Sequence, residues 1–415
     1  MRTAFERKGS DKLMRRAVAC ILSELLLCLA ACAAGDARRA ADATVRITDR
    51  GPNAVSLWDE RAAATINQPP SATGTPEERR PVYSLDMATL HVAMYEAVRV
   101  VPPAAQEAAV HGAAYTVLKR LFPQRTAQYQ EAYDKALAAL PAGSARDDGL
   151  RVGAERAARV LAQRADDGRW AEVKPVVPGT APGAFRGDSP IGQTASRTRP
   201  LALDSVAQFR SAPPPALDSA AWAADLQETR TRGGEGTTIS AREDEDARFH
   251  TEPPPRFWTR NLNRFARSQP ALADDARLMA LLWVAHADAG LACFDAKYHY
   301  YRWRPTSAIV VSDPAWKPRV PTPNHPEYPA AHGCATAALA ESLAAHFGTR
   351  EINFAFDSMV TNTTHEWTTV DGLLDEVRNA RIVGGMHFRS SMVAGERIGA
   401  SVARWVASRP MFSAR

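Results

Sequence analysis

Five residues that carry positive charge or exchange protons near neutrality fall in three short segments: Lys297 and Arg304, His332, and Arg381 with His387. Lys297 and Arg304 are seven residues apart, about two helical turns, so a helix over Ala287–Trp303 sets both on one face. No acidic residue lies between them, and such a pair repels unless an anion sits in front of it. Pro305 disfavours the helical conformation at Arg304, which places that guanidinium at the helix end. A helix starting near His332, in Ala330-Ala331-His332-Gly333, offers free N–H groups and a positive dipole end to an anion. Arg381 and His387 are too far round a continuous helix to share a face, but Gly384-Gly385 between them can bend the chain. All three segments point to a tetrahedral oxyanion of phosphate size. Lys297, Arg304 and Arg381 supply charge and forked donors, which stabilise equatorial oxygens as the centre becomes five-coordinate. His387, when neutral, is a nucleophile or a ligand through one nitrogen, and His332 suits general acid–base work.

Lys297-x6-Arg304-Pro305, Tyr328-Pro329-Ala330-Ala331-His332 and Arg381-x5-His387 resemble, in order, the three-part signature of the type 2 phosphatidic acid phosphatase and vanadium haloperoxidase superfamily. Gln208-Phe209-Arg210, Ala287-Asp288-Ala289-Gly290 and Gly385-Met386-His387-Phe388 resemble its soluble bacterial haloperoxidase branch, and the likeness runs over roughly Ser84–Val406. The resemblance implies vanadate, with vanadium on His387 Nε2 and the oxyanion held by Lys297, Arg304, Arg381 and the Ala331 N–H. Hydrogen peroxide and a halide would be the reactants and hypohalous acid the product. His325 stands where bromide oxidisers of the family often have a histidine, so bromide or iodide is favoured over chloride, and Phe294 would line the halide pocket. The usual Pro-Ser-Gly-His and Ser-Arg are Pro329-Ala330-Ala331-His332 and Ala380-Arg381 here. One missing hydroxyl removes a hydrogen bond to a charged ligand, worth about 1.5–3 kcal/mol. Two other readings use the same residues. One is a phosphatase without cofactor that hydrolyses phosphate monoesters through a phosphohistidine at His387; the other is a surface binding protein whose site has decayed.

These residues need a scaffold, and the remaining sequence describes one. Apolar residues at three- and four-residue spacing predict helices over Leu85–Val100, Gln106–Leu121, Arg125–Leu140 and Arg146–Gln163, most simply as two antiparallel pairs. Further helices are expected over Ala216–Thr231, Ser240–Phe249, Phe257–Arg267, Leu272–Trp303 with a break or close contact at Gly290, Ala335–Phe347, Leu373–Ile382 and Ser391–Ser408. The fold class is all-α, a helical bundle built from two halves around one oxyanion site. Residues 81–412 form the helical domain, with a long covering loop at 167–215, and residues 36–80 read as an extended arm. Residues 1–35 read as an export signal: Arg15-Arg16, a short apolar run, and a lipobox-like Leu29-Ala30-Ala31-Cys32 whose Cys32 would carry a lipid anchor. The protein is therefore expected outside the cytoplasm, periplasmic, anchored or secreted. Residues 1–31 hold three of the five net positive charges, so the remainder is only weakly basic and implies no nucleic-acid partner. Cys293 and Cys334 flank the motifs and are either a disulfide or two buried thiols. Free thiols beside a source of hypohalous acid would oxidise, which would favour the phosphatase. His286, His299, His346 and His365 make no recognised metal spacing, and no nucleophile elbow, P-loop or dinucleotide fingerprint occurs.

Overall fold

A computed structural model describes residues 44–69, 82–173 and 175–412. The export segment with Cys20, Cys28 and Cys32, and the parts of the arm at 36–43 and 70–80, lie outside the described residues. The account below concerns the compact unit that begins at Arg46.

The extended arm is corrected in its described part: Ala54–Ile66 is a helix, α1. Asn53, which reads as a loop residue, caps it, accepting from Ser56 N–H while Ser56 Oγ accepts from Asn53 N–H. Trp58 is buried and its indole donates to His111 Nδ1 at 2.8 Å. The predicted amphipathic segments appear as α2 (Tyr83–Val98), α3 (Pro103–Leu121), α4 (Thr126–Ala139) and α5 (Ser144–Arg164). Their packing differs from two sequential pairs. α3 packs most closely on α5, because Gly149 and Gly153 let the backbones touch: a Cβ at Gly153 would sit 2.2 Å from Ala109 O. α4 buries only Tyr129 and Ala132.

α6 (Ala220–Arg232) and α7 (Ala241–Phe249) follow, the latter opened by the Ser240–Glu243 capping box. The prolines at 253–255 follow α7 and begin α8 (Pro254–Leu262), since proline suits a helix's first positions. α9 (Leu272–Tyr300) is the spine. It runs unbroken through Gly290, where an added Cβ would meet nothing within 4 Å, so Gly290 is neither a break nor a packing point. It is long and apolar enough to cross a membrane, but 89% of its apolar window is buried inside the protein. α10 (Pro305–Ile309), α11 (Ala331–Phe347), α12 (Val370–Val383) and α13 (Arg389–Ala407) complete thirteen helices among the described residues. The strand-poor reading missed an antiparallel hairpin, Ile352–Ser358 with Thr363–Trp367. Its first strand alternates buried Ile352, Phe354, Phe356 and Ser358 with half-buried neighbours.

Two helical groupings therefore exist, α2–α5 and α9 with α11–α13, and the five motif side chains lie on the second or on the segments that join its helices. The covering loop is clamped to α9. Buried Asp288 accepts from Leu201, Ala202 and Leu203 N–H at 2.7, 2.7 and 3.0 Å. Arg210 pairs with Asp295 at 2.6 Å, and Gly192 lies against the Phe294 ring so closely that no side chain would fit there.

Candidate functional site

Lys297 sits in the last turn of α9 and is fully buried. Arg304, expected on the same helix, is not: α9 stops at Tyr300, and Tyr301 takes a left-handed conformation with φ +50°. The turn re-aims Arg304 as the N-cap of α10, where it is 2% exposed. The Lys297 ammonium donates to the carbonyls of Pro326, Glu327 and Pro329. Its three protons thus hold the 326–329 turn. Arg304 donates from Nε to His325 O at 2.8 Å, from one terminal nitrogen to Met386 O at 2.9 Å and His387 Nε2 at 3.1 Å, and from the other to the His325 ring at 2.9 Å.

Arg381 ends α12 and is 1% exposed. One terminal nitrogen donates to His250 O at 2.8 Å, while its Nε has no partner among the described residues. The bend at Gly384-Gly385 occurs as expected. Gly385 has φ +72°, and a Cβ there would meet Gly233 O at 2.3 Å. His387 leaves this bend buried, against Arg304.

Glu327 was missed. Its Oε1 accepts from His387 Nδ1 at 2.9 Å and from Phe388 N–H at 3.1 Å, and it is 1% exposed. The contact fixes the imidazole with its proton on Nδ1 and a lone pair on Nε2, the atom turned to Arg304. The one acidic side chain within a stretch flanked by site residues was the signal available in the sequence.

His332 lies in the first turn of α11, which begins at Ala331. The N-cap, Ala330, gives no side-chain hydrogen bond, so the first-turn N–H groups lack a side-chain cap. His332 does not touch His387 in the manner Arg304 does. It lines a cleft with His250, Glu252, Pro254, Phe257, Trp258, Thr336, Leu373 and Val377. Phe294 and His325 come together, ring centroids 5.1 Å apart, beside Arg304. Cys293 and Cys334 form a disulfide joining α9 to α11, Cα atoms 6.3 Å apart and both residues buried. The argument from free thiols therefore falls away.

The electrostatics follow from burial. Three cations surround one carboxylate in a dry site, so positive charge is in excess. Burial drives Lys297 well below its usual value, and Arg304 beside it adds to the shift. Burial also lowers Arg304 to about 10, and burial with Arg304's repulsion lowers Arg381 to about 9. Burial and then Arg304 hold His387 well below the ordinary histidine range; for His332 the causes are burial and Arg381. Both imidazoles are neutral at pH 7. Burial raises Glu327 to about 7, against the pull of Arg304 and Lys297.

Residues 277–413 match the family model of the VCPO second helical-bundle domain. That segment contains every motif residue named above. The match covers about a third of the chain, and the following solved structures share its fold. The solved structure of a bacterial vanadium-dependent iodoperoxidase superposes with TM-score 0.67 at 22% identity, over 87% of this chain and 98% of that one. The apo and holo forms of a bacterial vanadium-dependent chloroperoxidase both give TM-score 0.65, at 13% and 14% identity, covering 83% and 86% of this chain and 96% and 97% of theirs. A comparison with curated protein sequences finds no match.

The residues present fit the vanadate that the resemblance implies. The unpartnered Nε of Arg381, the excess of buried cations, the α11 N-terminus without a side-chain cap and the His387 Nε2 lone pair are the donor set a tetrahedral oxyanion needs. For His387 Nε2 to hold that group, its contact with Arg304 would have to give way.

Proposed function

We propose that this protein is a vanadate-dependent haloperoxidase that oxidises bromide or iodide with hydrogen peroxide. The observation that carries the reading is the buried, neutral His387, its Nδ1 fixed by Glu327, facing three cations that, among the described residues, have this one carboxylate to balance them. Vanadate, when bound, supplies the Lewis-acidic centre at which peroxide is activated. Arg381 and the first-turn N–H groups of α11 would hold its oxygens; Arg304 and Lys297 contribute charge, and Lys297 secures the turn that carries Glu327. His332, neutral, takes and returns the proton exchanged with peroxide at a ring nitrogen. Phe294 and His325, roofed by the covering loop, form the halide wall beside Arg304. Export is proposed with it, supported by the basic-then-apolar lead and by a disulfide, which persists in oxidising compartments.

A phosphate monoester could enter the same cationic pocket, so one assay pair decides. Purified protein with vanadate, peroxide and bromide or iodide should halogenate a dye, only when vanadate is present, and should leave a chromogenic phosphate ester intact. Ester hydrolysis inhibited by vanadate would establish the phosphatase, and silence in both assays the decayed binding protein. His387→Ala should abolish the activity; full retention would refute the site.

A further inference from the structure

We infer that Thr336 and His332 bind one small neutral O–H molecule, water or hydrogen peroxide, in the cleft beneath α8. The site rests on the haloperoxidase reading only for its use, not for its existence. Thr336 is four residues after His332 on α11, so the two side chains share a helix face. Its hydroxyl is buried, 1% exposed, and has no partner among the described residues. Ser211, Thr322 and Ser342 have partnerless buried hydroxyls too, but Thr336 differs from most helical threonines. A helical threonine normally satisfies its hydroxyl on the carbonyl one turn back, and Thr65, Thr89, Thr116, Thr231 and Thr259 all do so here. Thr336 makes no such bond and lines the cleft with His332 instead.

The other polar walls of the cleft are already engaged. Glu252 grips Arg260 with both oxygens and accepts from Met359 N–H; His250 gives its Nε2 to Glu376. Phe257, Trp258, Leu373 and Val377 close the rest with apolar surface. About 10 Å³ of free volume remains, room for one water-sized guest. The chemistry of the guest follows from its hosts. His332 is neutral, so one of its two ring nitrogens is an acceptor. A halide accepts but cannot donate, and the Glu252 carboxylate in the wall disfavours an anion. Water and hydrogen peroxide donate to the imidazole and accept from the threonine. The guest would give His332 a proton-exchange partner, and Thr336 is then a positioning residue for the acid–base histidine.

The test needs no vanadate and no turnover. Crystals of the vanadate-free protein, with and without a peroxide soak, should show ordered density within hydrogen-bond distance of Thr336 Oγ1 and His332. A single oxygen identifies water, and a two-oxygen feature after the soak identifies peroxide. Thr336→Val should remove the density and lower the melting temperature, because a satisfied hydroxyl is lost; Thr336→Ser should restore both. An empty cleft in the unmodified protein, density that persists in Thr336→Val, or a valine variant that melts higher, as expected when a truly orphaned hydroxyl is removed, would each overturn the assignment. These readouts are independent of catalysis, so they stand or fall separately from the haloperoxidase assay.

Discussion

Ala330→Ser puts back the hydroxyl that the superfamily signature normally carries, and its effect can be worked out from the position. Ala330 is the N-cap of α11, in extended conformation with φ −75° and ψ 125°, and its own N–H is held by Ser391 O at 3.0 Å. Three hydroxyl caps among the described residues do what Ala330 cannot: Ser219, Ser240 and Thr369 accept from the N–H three residues on, at 3.2, 3.2 and 2.9 Å. A serine at 330 would accept likewise from Gly333 N–H and stabilise the protein by about 1 kcal/mol. Its proton remains free to donate to an oxyanion at the helix N-terminus, a bond to a charged group worth about 1.5–3 kcal/mol. Both bonds can coexist, because one uses a lone pair and the other the hydrogen. The expected gain in oxyanion affinity is therefore about 10- to 150-fold. Calorimetric titration of the two proteins with phosphate and with vanadate measures it, and a melting curve without anion measures the cap separately. Equal affinities alongside a raised melting temperature would show that the helix is capped but that no oxyanion lies against it, and would refute the placement.

Other consequences are more local. Asp288→Asn keeps one acceptor oxygen and turns an amide towards buried N–H groups, so it should cost about 3 kcal/mol and speed limited proteolysis within residues 167–215; unchanged cleavage would deny the clamp. Oxyanion affinity should fall with rising pH well before a free lysine would lose its proton, because burial has pushed Lys297 down; Arg381, at about 9, should follow. Titrations that stay flat through that alkaline range would contradict it. Burial raises Glu376, but bonds from His250 and His365 carry it down to about 2; burial lowers His365, but bonds to Glu376 and Glu245 raise it. Glu376 thus stabilises above 4.5 and loses this as pH falls, while His365 stabilises below 6.5 and loses it as pH rises through its raised value. The melting deficit of Glu376→Gln should be largest between those two values; a deficit constant with pH would mean that the contact is not ionic.

What could be read without coordinates was what local spacing controls. The helices at 83–98, 103–121, 126–139 and 144–164 followed from apolar periodicity, and the Ser240–Glu243 cap from its residue types. The bend that frees His387 followed from Gly384-Gly385, where only glycine tolerates the backbone of Gly233 and Pro318 so close. What failed was whatever depends on partners far along the chain. Arg304 belongs to the next helix because Tyr301 turns left-handed, a conformation that no residue type there announces. Glu327 and His387 are sixty residues apart and meet where Lys297 holds the 326–329 turn by its carbonyls. The pairing of α3 with α5 rests on glycines whose role shows only when the helices touch. Cys293 and Cys334 were legible as a choice between bridge and thiols, and the approach of α9 to α11 settles it.

The central claim is that His387 Nε2 and the three buried cations hold a single tetrahedral oxyanion. Diffraction from crystals soaked in vanadate or tungstate, phased on the anomalous signal of the heavy atom, tests it most directly. The account requires one strong peak at bonding distance from His387 Nε2, with Arg304 moved off that nitrogen and Arg381 Nε turned to an oxygen of the anion. A site with no peak, or a peak elsewhere with Arg304 still bonded to His387, would contradict it.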